Sequence, residues 1–234
     1  MAAESPHDVV FLVDVDNTLL DNDRIVADLR EHLVRAFGAD CAQVYWTRFE
    51  QLRAQLGYAD YLGALQLYRQ DVEHRGVAAH ALLQMSGFLV DYPFHERVFP
   101  GALEALAQMG RLGPTVILSD GDVVFQPRKV QRAGLWDAVG GRVLIHVHKE
   151  TMLDEVRRIF PARHYAIVDD KPRILGAFKA AWGAGVTTVF PRQGHYALDA
   201  AEIARHPPPD VAIARIGELA RTNIAAWIPS RSES

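Results

Sequence analysis

Seven residues near the start of the chain, Val9 to Val15 (VVFLVDV), form a largely β-branched apolar run that stops among the acids Asp14, Asp16, Asp21 and Asp23. The run has no polar alternation, so as a strand it must be covered on both faces. That is the situation of a strand in a parallel sheet flanked by helices. Its far end is polar, and open α/β sheets bind ligands outside the carboxyl ends of their strands. The chemistry of the chain is therefore expected at one sheet edge.

The texture then changes. From Arg24 to Leu89 there is almost no β-branched run, and apolar residues recur at helical spacing, as in Ile25, Leu29, Leu33, Phe37 and then Val44, Phe49, Leu52, Leu56. Gly38, Gly57 and Gly76 fall where helices stop, and Pro93 and Pro100 close the segment. Three or four packed helices are expected there. Beyond Pro100, helices and short strands alternate. Strands are expected at Thr115 to Leu118, Val143 to Val147, His164 to Val168, Val186 to Phe190 and Val211 to Ala214. Helices are expected at 102–109, 123–133, 150–160, 173–181 and 216–226. Repeated βα units of this kind predict an α/β fold, a parallel sheet covered by helices on both faces. At 234 residues the chain accommodates one such core carrying an insertion. The expected division is residues 1–20 and 95–234 for the α/β core and 21–94 for an α-helical insert.

Charge excludes some partners. Lys and Arg number 25 against 29 Asp and Glu, a net −4, with no cationic block to meet the phosphates of nucleic acid or a membrane surface. Neither partner is expected. Cys41 is the single cysteine, so no intramolecular disulfide forms, and a cytoplasmic location is expected. The first residues carry no cationic stretch, and Val9 to Val15 falls far short of the roughly 20 apolar residues that span a bilayer, so neither a signal peptide nor a membrane helix is expected.

Four strand ends deliver polar groups to one edge. Strand 1 supplies Asp14 and Asp16, the second Ser119, Asp120 and Gly121, the third is followed by Lys149, and the fourth ends in Asp169 and Asp170. Carboxylates crowded in this way repel unless a proton or cation intervenes. A hard divalent cation such as Mg²⁺, which prefers carboxylate and water oxygens, removes the conflict. Any one of these acids could equally be a helix cap or a solvated side chain; the whole set at consecutive strand ends is not explained that way. A hydroxyl with backbone N–H groups at a helix start, as at Ser119 to Gly121, suits an anion such as phosphate. Lys149 could neutralise both Asp14 and that anion. The ten histidines show no zinc-ligand spacing, and His146 and His148, alternating on a strand, read as packing or surface residues.

These residues carry a family resemblance. Asp14-Val15-Asp16-Asn17-Thr18 is similar to the DxDxT signature of the haloacid dehalogenase-like (HAD) superfamily. Val116 to Gly121 resembles its second motif, Lys149 its third and Ile167-Val168-Asp169-Asp170-Lys171 its fourth, all in the family's order. The resemblance implies a Rossmann-like core, with residues 21–94 in the place of the family's C1 cap, and a Mg²⁺-dependent phosphatase of small phosphorylated metabolites. It implies Asp14 as nucleophile forming an aspartyl-phosphate, and Asp16 as general acid and then base. Ser119 would hold phosphoryl oxygen with the region of Asp120 and Gly121, and Lys149 would hold Asp14 and the phosphate. Mg²⁺ would sit on Asp14, the Asp16 backbone carbonyl and Asp170, with Asp169 a direct or water-mediated ligand. Members that break carbon–halogen bonds lack an acid at the position of Asp16, which favours a phosphate ester as substrate. A phosphomutase would use the same aspartyl-phosphate, but Asn17 stands where such mutases tend to carry Gly. A non-enzymatic phospho-acceptor protein would be about half as long and lack the insert, and a silent scaffold would tolerate loss of Asp14, Asp16 or Lys149. Within the insert, Arg48, Arg53, Tyr58 and Tyr61 are candidate substrate contacts, whereas Tyr45, Trp46 and Phe49 read as core.

Overall fold

The computed structural model describes residues 5–72 and 79–228. Six strands, β1 (His7–Val13), β2 (Thr115–Asp120), β3 (Val143–His146), β4 (Ala162–Val168), β5 (Val186–Pro191) and β6 (Val211–Ile213), form one sheet in the order β3-β2-β1-β4-β5-β6. Every neighbouring pair is parallel. β1 lies at the centre, where the strand order reverses, which is where open α/β sheets place their ligand crevice.

The apolar run of β1 divides by its two-residue period. Val9, Phe11 and Val13 enter one core cluster, while Val10 and Leu12 enter the other. β2 and β4 divide in the same way, with Ile117, Ala166 and Val168 on the first side and Val116, Leu118, Tyr165 and Ile167 on the second. Both faces are dry, so no polar alternation is tolerated, and the run is continuous for that reason.

Between β1 and the rest of the sheet, the described residues form four helices, α1 (Asn22–Phe37), α2 (Ala39–Leu56), α3 (Tyr61–Val72) and α4 (Ala79–Asp91). Asp21 caps α1, its Oδ1 accepting from the Arg24 N–H at 2.9 Å. Gly38 closes α1, and Gly57 closes α2 in the left-handed conformation; Gly76 lies outside the described residues. Leu52 and Leu56 are only partly buried. The inward stripe of α2 is instead Ala42, Tyr45, Trp46 and Phe49. Phe49 stacks on Tyr61 at 4.8 Å, and Tyr61 meets Phe125 of the α/β part at 5.4 Å, so the helical segment shares the first core cluster of the sheet. The chain enters and leaves the segment through paired linkers: Asp21 N–H donates to Arg97 O at 2.8 Å, and Phe99 N–H to Leu19 O at 2.9 Å.

Beyond the segment, the helices α5 (Ala102–Gly110), α6 (Phe125–Arg132), α7 (Leu135–Ala138), α8 (Leu153–Ile159), α9 (Pro172–Trp182) and α10 (Ala200–Ala204) alternate with the strands. The helix expected over 216–226 is instead two 3₁₀ turns, Ile216–Ala220 and Ile224–Trp227. Their buried anchors, Ile216, Leu219 and Ile224, need only single turns to reach the core, and Gly217 weakens a longer helix. Among the described residues, no helix is long and apolar enough to cross a membrane.

Candidate active site

Asp14 follows directly on β1, and its N–H donates to Val168 O at 2.9 Å, so the sheet ladder itself fixes where its carboxylate stands. After Val15 the chain turns sharply. The N–H groups of Thr18, Leu19 and Leu20 all donate to Val15 O, and Asn17 takes a left-handed φ of 59°. Asn is among the few residues that tolerate that conformation. Thr18, buried in this turn, accepts from the Asp170 N–H at 3.1 Å and thereby ties the end of β4 to the end of β1.

Lys149 reaches the centre of the site and is fully buried. Its Nζ lies 2.5 Å from Asp14 Oδ1 and 2.6 Å from Asp169 Oδ2, and donates to Leu118 O at 3.2 Å. Burial alone would push this ammonium toward its neutral form, but Asp14, Asp169 and Asp120 outweigh that and hold it charged, well above the ordinary lysine range. Asp120 also fixes the backbone here, accepting from the Lys149 N–H at 2.8 Å.

The opposite conflict stands at Asp170. It is fully buried, and among the described residues neither of its carboxylate oxygens has a hydrogen-bond partner, nor has Asp14 Oδ2. Burial, with Asp14 and Asp169 close by, raises the Asp170 carboxyl well above the carboxylate range; burial raises Asp169 as well, against the pull of Lys149. One oxygen from each of Asp14, Asp169 and Asp170 falls within 4.8 Å of the others. Buried, unsatisfied, all-oxygen donors of this kind fit a hard divalent cation.

Asp16 is placed differently. Its carboxylate is not among the three grouped oxygens; it opens into the cleft, about a quarter exposed. Lys129 Nζ holds its Oδ1 at 2.7 Å, and Gln126 Nε2 lies 3.4 Å from its Oδ2. Ser119 is buried and accepts from the same Gln126 amide at 3.0 Å. The N–H of Gly121 is already engaged by His146 O at 2.9 Å, and Asp122 Oδ1 accepts from the Val124 and Phe125 N–H groups at the start of α6. The helix start after β2 is thus capped from within, and the Ser119 hydroxyl beside it donates to the Asp120 carbonyl at 3.4 Å. Gly121 serves close approach instead, since a Cβ at this position would lie 2.7 Å from the Gln126 Cβ.

A cleft of about 470 Å³ joins these groups to the helical segment. Asp16, Asp120, Gly121 and Asp170 line it from the sheet edge, and Arg30, Trp46, Arg53, Tyr58 and Tyr61 from the helices. Of the expected contacts in the segment, Arg48 points elsewhere, bound to Asp71 by a two-pronged ion pair at 2.5 and 2.7 Å. Trp46 and Phe49, expected as core, are core residues that also present an edge to the cleft. Gln126 and Lys129 were not singled out from the sequence, and Lys171 was named only within the fourth motif, without a role. For the first two a signal existed: Phe125, Gln126, Lys129 and Val130 make up the inward face of α6, so two polar side chains occupy buried positions.

A family model for haloacid dehalogenase-like hydrolases matches residues 9–181. A solved haloacid dehalogenase-like hydrolase of Burkholderia xenovorans is 64% identical and covers 93% of this chain and 100% of its own, with a TM-score of 0.86. An L-2-haloacid dehalogenase of Xanthobacter autotrophicus, solved with chloropropionic acid covalently bound, is 20% identical at a TM-score of 0.57, covering 94% of this chain and 99% of its own. A HAD-hydrolase of Bacillus subtilis bound to magnesium is 16% identical at 0.58, covering 93% and 98%. No curated protein matches the sequence.

Proposed function

The chain belongs to the haloacid dehalogenase-like hydrolases, and from that premise we propose that it is a cytoplasmic, Mg²⁺-dependent phosphatase of a small phosphorylated metabolite. The observation that carries the reading is Asp16, a second carboxylate directed into the cleft next to Asp14 but outside the three-oxygen cluster. A halide leaves without a proton; the alkoxide of a phosphate ester does not, and a cleft-facing acid answers that need.

In this reading the Asp14 carboxylate attacks phosphorus, the phosphorus–oxygen ester bond breaks, and its electron pair goes to the leaving oxygen, which takes the proton of Asp16. The resulting Asp16 carboxylate then removes a proton from water as the water oxygen attacks the aspartyl-phosphate. Inorganic phosphate leaves and the Asp14 carboxylate is restored. Lys149 holds the Asp14 carboxylate in place through Oδ1. Ser119 holds a phosphoryl oxygen, and Lys171 adds positive charge beside the acids, its ammonium kept charged against burial by Asp14, Asp169 and Asp170. Anionic nucleophile and phosphate repel by roughly 4 kcal/mol per unit pair at 4 Å and an effective dielectric of 20, so preorganised cations are required. Mg²⁺, held by Asp14, Asp170 and the Asp16 carbonyl with Asp169 direct or through water, would supply charge neutralisation there. Residues 21–94 act as a lid that excludes water and contacts the leaving group.

Purified protein assayed with a chromogenic phosphomonoester and a panel of phosphorylated metabolites, with Mg²⁺ or with chelator, is expected to show Mg²⁺-dependent phosphate release and no halide release from L-2-haloacids. Halide release without phosphatase activity, or full activity in Asp14→Asn, refutes the reading.

A further inference from the structure

We propose that Lys129 is the positioning residue of Asp16, and that through Asn22 it makes the placement of Asp16 depend on the seating of the helical segment. The inference rests on the acid/base reading of Asp16 given above.

Lys129 lies on α6, outside the four motifs, and is 1% exposed. A buried ammonium is costly unless it is paired and hydrogen-bonded. Among the described residues its ion pair is with Asp16 Oδ1 at 2.7 Å; its other polar partner is Asn22 Oδ1 at 3.2 Å, and the Phe125 ring lies 5.5 Å away. The two acids of the first motif are thereby divided between two buried lysines, Asp14 on Lys149 and Asp16 on Lys129. Lys129 holds Oδ1 of Asp16, while Oδ2 meets the longer contact of the Gln126 amide at 3.4 Å.

The partners of Lys129 come from both parts of the molecule. Asn22 is the first residue of α1, and it lines the cleft together with Tyr61, the first residue of α3. On α6 the Phe125 ring packs against Tyr61 at 5.4 Å and Phe94 at 5.8 Å. Motion of the helical segment away from the sheet edge separates Asn22 and Tyr61 from Lys129 and Phe125. Asp16 is then fully oriented only while the segment is seated, which couples proton delivery to closure.

The test compares wild type, Lys129→Met, Lys129→Arg and Asn22→Ala across phosphomonoesters whose leaving groups run from p-nitrophenol to simple alcohols. Proton transfer from Asp16 matters most for basic leaving oxygens. In Lys129→Met, kcat/KM is therefore expected to fall by about 100-fold for alkyl esters but by less than about 5-fold for p-nitrophenyl phosphate. Inhibition by inorganic phosphate should stay within about 3-fold of wild type. Lys129→Arg should recover part of the alkyl-ester activity, and Asn22→Ala, which keeps the ion pair, should show the same selective loss at smaller size. Equal losses across all leaving groups in the folded variants, or no loss, overturn the proposal. If Lys129→Met fails to fold, Asn22→Ala decides by the same criterion. A wild type inert toward every phosphomonoester overturns the phosphatase reading and this one together; an active wild type with uniform losses overturns this one alone.

Discussion

Replacing Asp170 with Asn removes one of three buried carboxylates whose oxygens lie within 4.8 Å of one another. At that spacing each like-charge pair repels by roughly 3.5 kcal/mol at an effective dielectric of 20, and Asp170 has two such neighbours. Lys149 and Lys171 return part of this. The balance still disfavours the charge, since burial and the two acids raise the carboxyl well above its ordinary value of 3.8. A folded value above the unfolded one means that the metal-free protein loses stability as pH rises from the unfolded value through the folded one, with the full penalty above it. Asp170→Asn should therefore stabilise the metal-free protein at neutral pH by about 2 kcal/mol, roughly 4–8 °C in Tm for a chain of this size. Mg²⁺ at a hundred times its Kd should add about 2.7 kcal/mol to wild type and almost nothing to the variant. Thermal unfolding in chelator and in Mg²⁺ measures both. A variant less stable than wild type in chelator, or one that gains the same stabilisation from Mg²⁺, would refute the cation assignment.

Asp16→Asn should lower kcat by about 100- to 10,000-fold while KM moves little, measured by steady-state phosphate release; an unchanged kcat removes Asp16 from the chemistry. Lys149→Met strands Asp14 and Asp169 as buried charges without their ammonium, so chemical denaturation at neutral pH should show a loss of about 3–5 kcal/mol. In the linker, Arg97 and Tyr92 bind the partly buried Asp28, at 2.9 Å for Arg97 Nη2. Burial opposes its charge, but these bonds and the nearby Arg24 lower the carboxyl below its ordinary 3.8 overall. Arg97→Met should cost about 1 kcal/mol above the unfolded value. That difference should vanish as pH falls through the folded value of Asp28, and a deficit that persists there would assign the loss to packing instead.

Much of the site was legible because its parts are local. A strand buried on both faces must read as an unbroken apolar run, as β1 does, and it must end in the residues that meet solvent or ligand. Asp14, Ser119, Lys149, Asp169 and Asp170 could therefore be placed at one edge from strand ends and chain order alone. The helical segment was visible in its spacing, and Tyr45, Trp46 and Phe49 are core as expected, but Val44, Leu52 and Leu56 are only partly buried, because the packing partner, rather than periodicity alone, selects the face.

Tertiary structure decided how those charges are paired. Lys129 meets Asp16 across 113 positions and Lys149 meets Asp14 across 135, and no local rule reports such distances. It also decided that the Gly121 N–H is taken by β3, that Asp122 caps α6, and that Gln126 and Lys129 face inward. A motif specifies which groups arrive at an edge, since that depends on strand length and alternation. Which lone pair each group keeps free depends on the low-dielectric neighbourhood assembled around it by elements far apart in the chain, and that exists only once the helices and the sheet have packed.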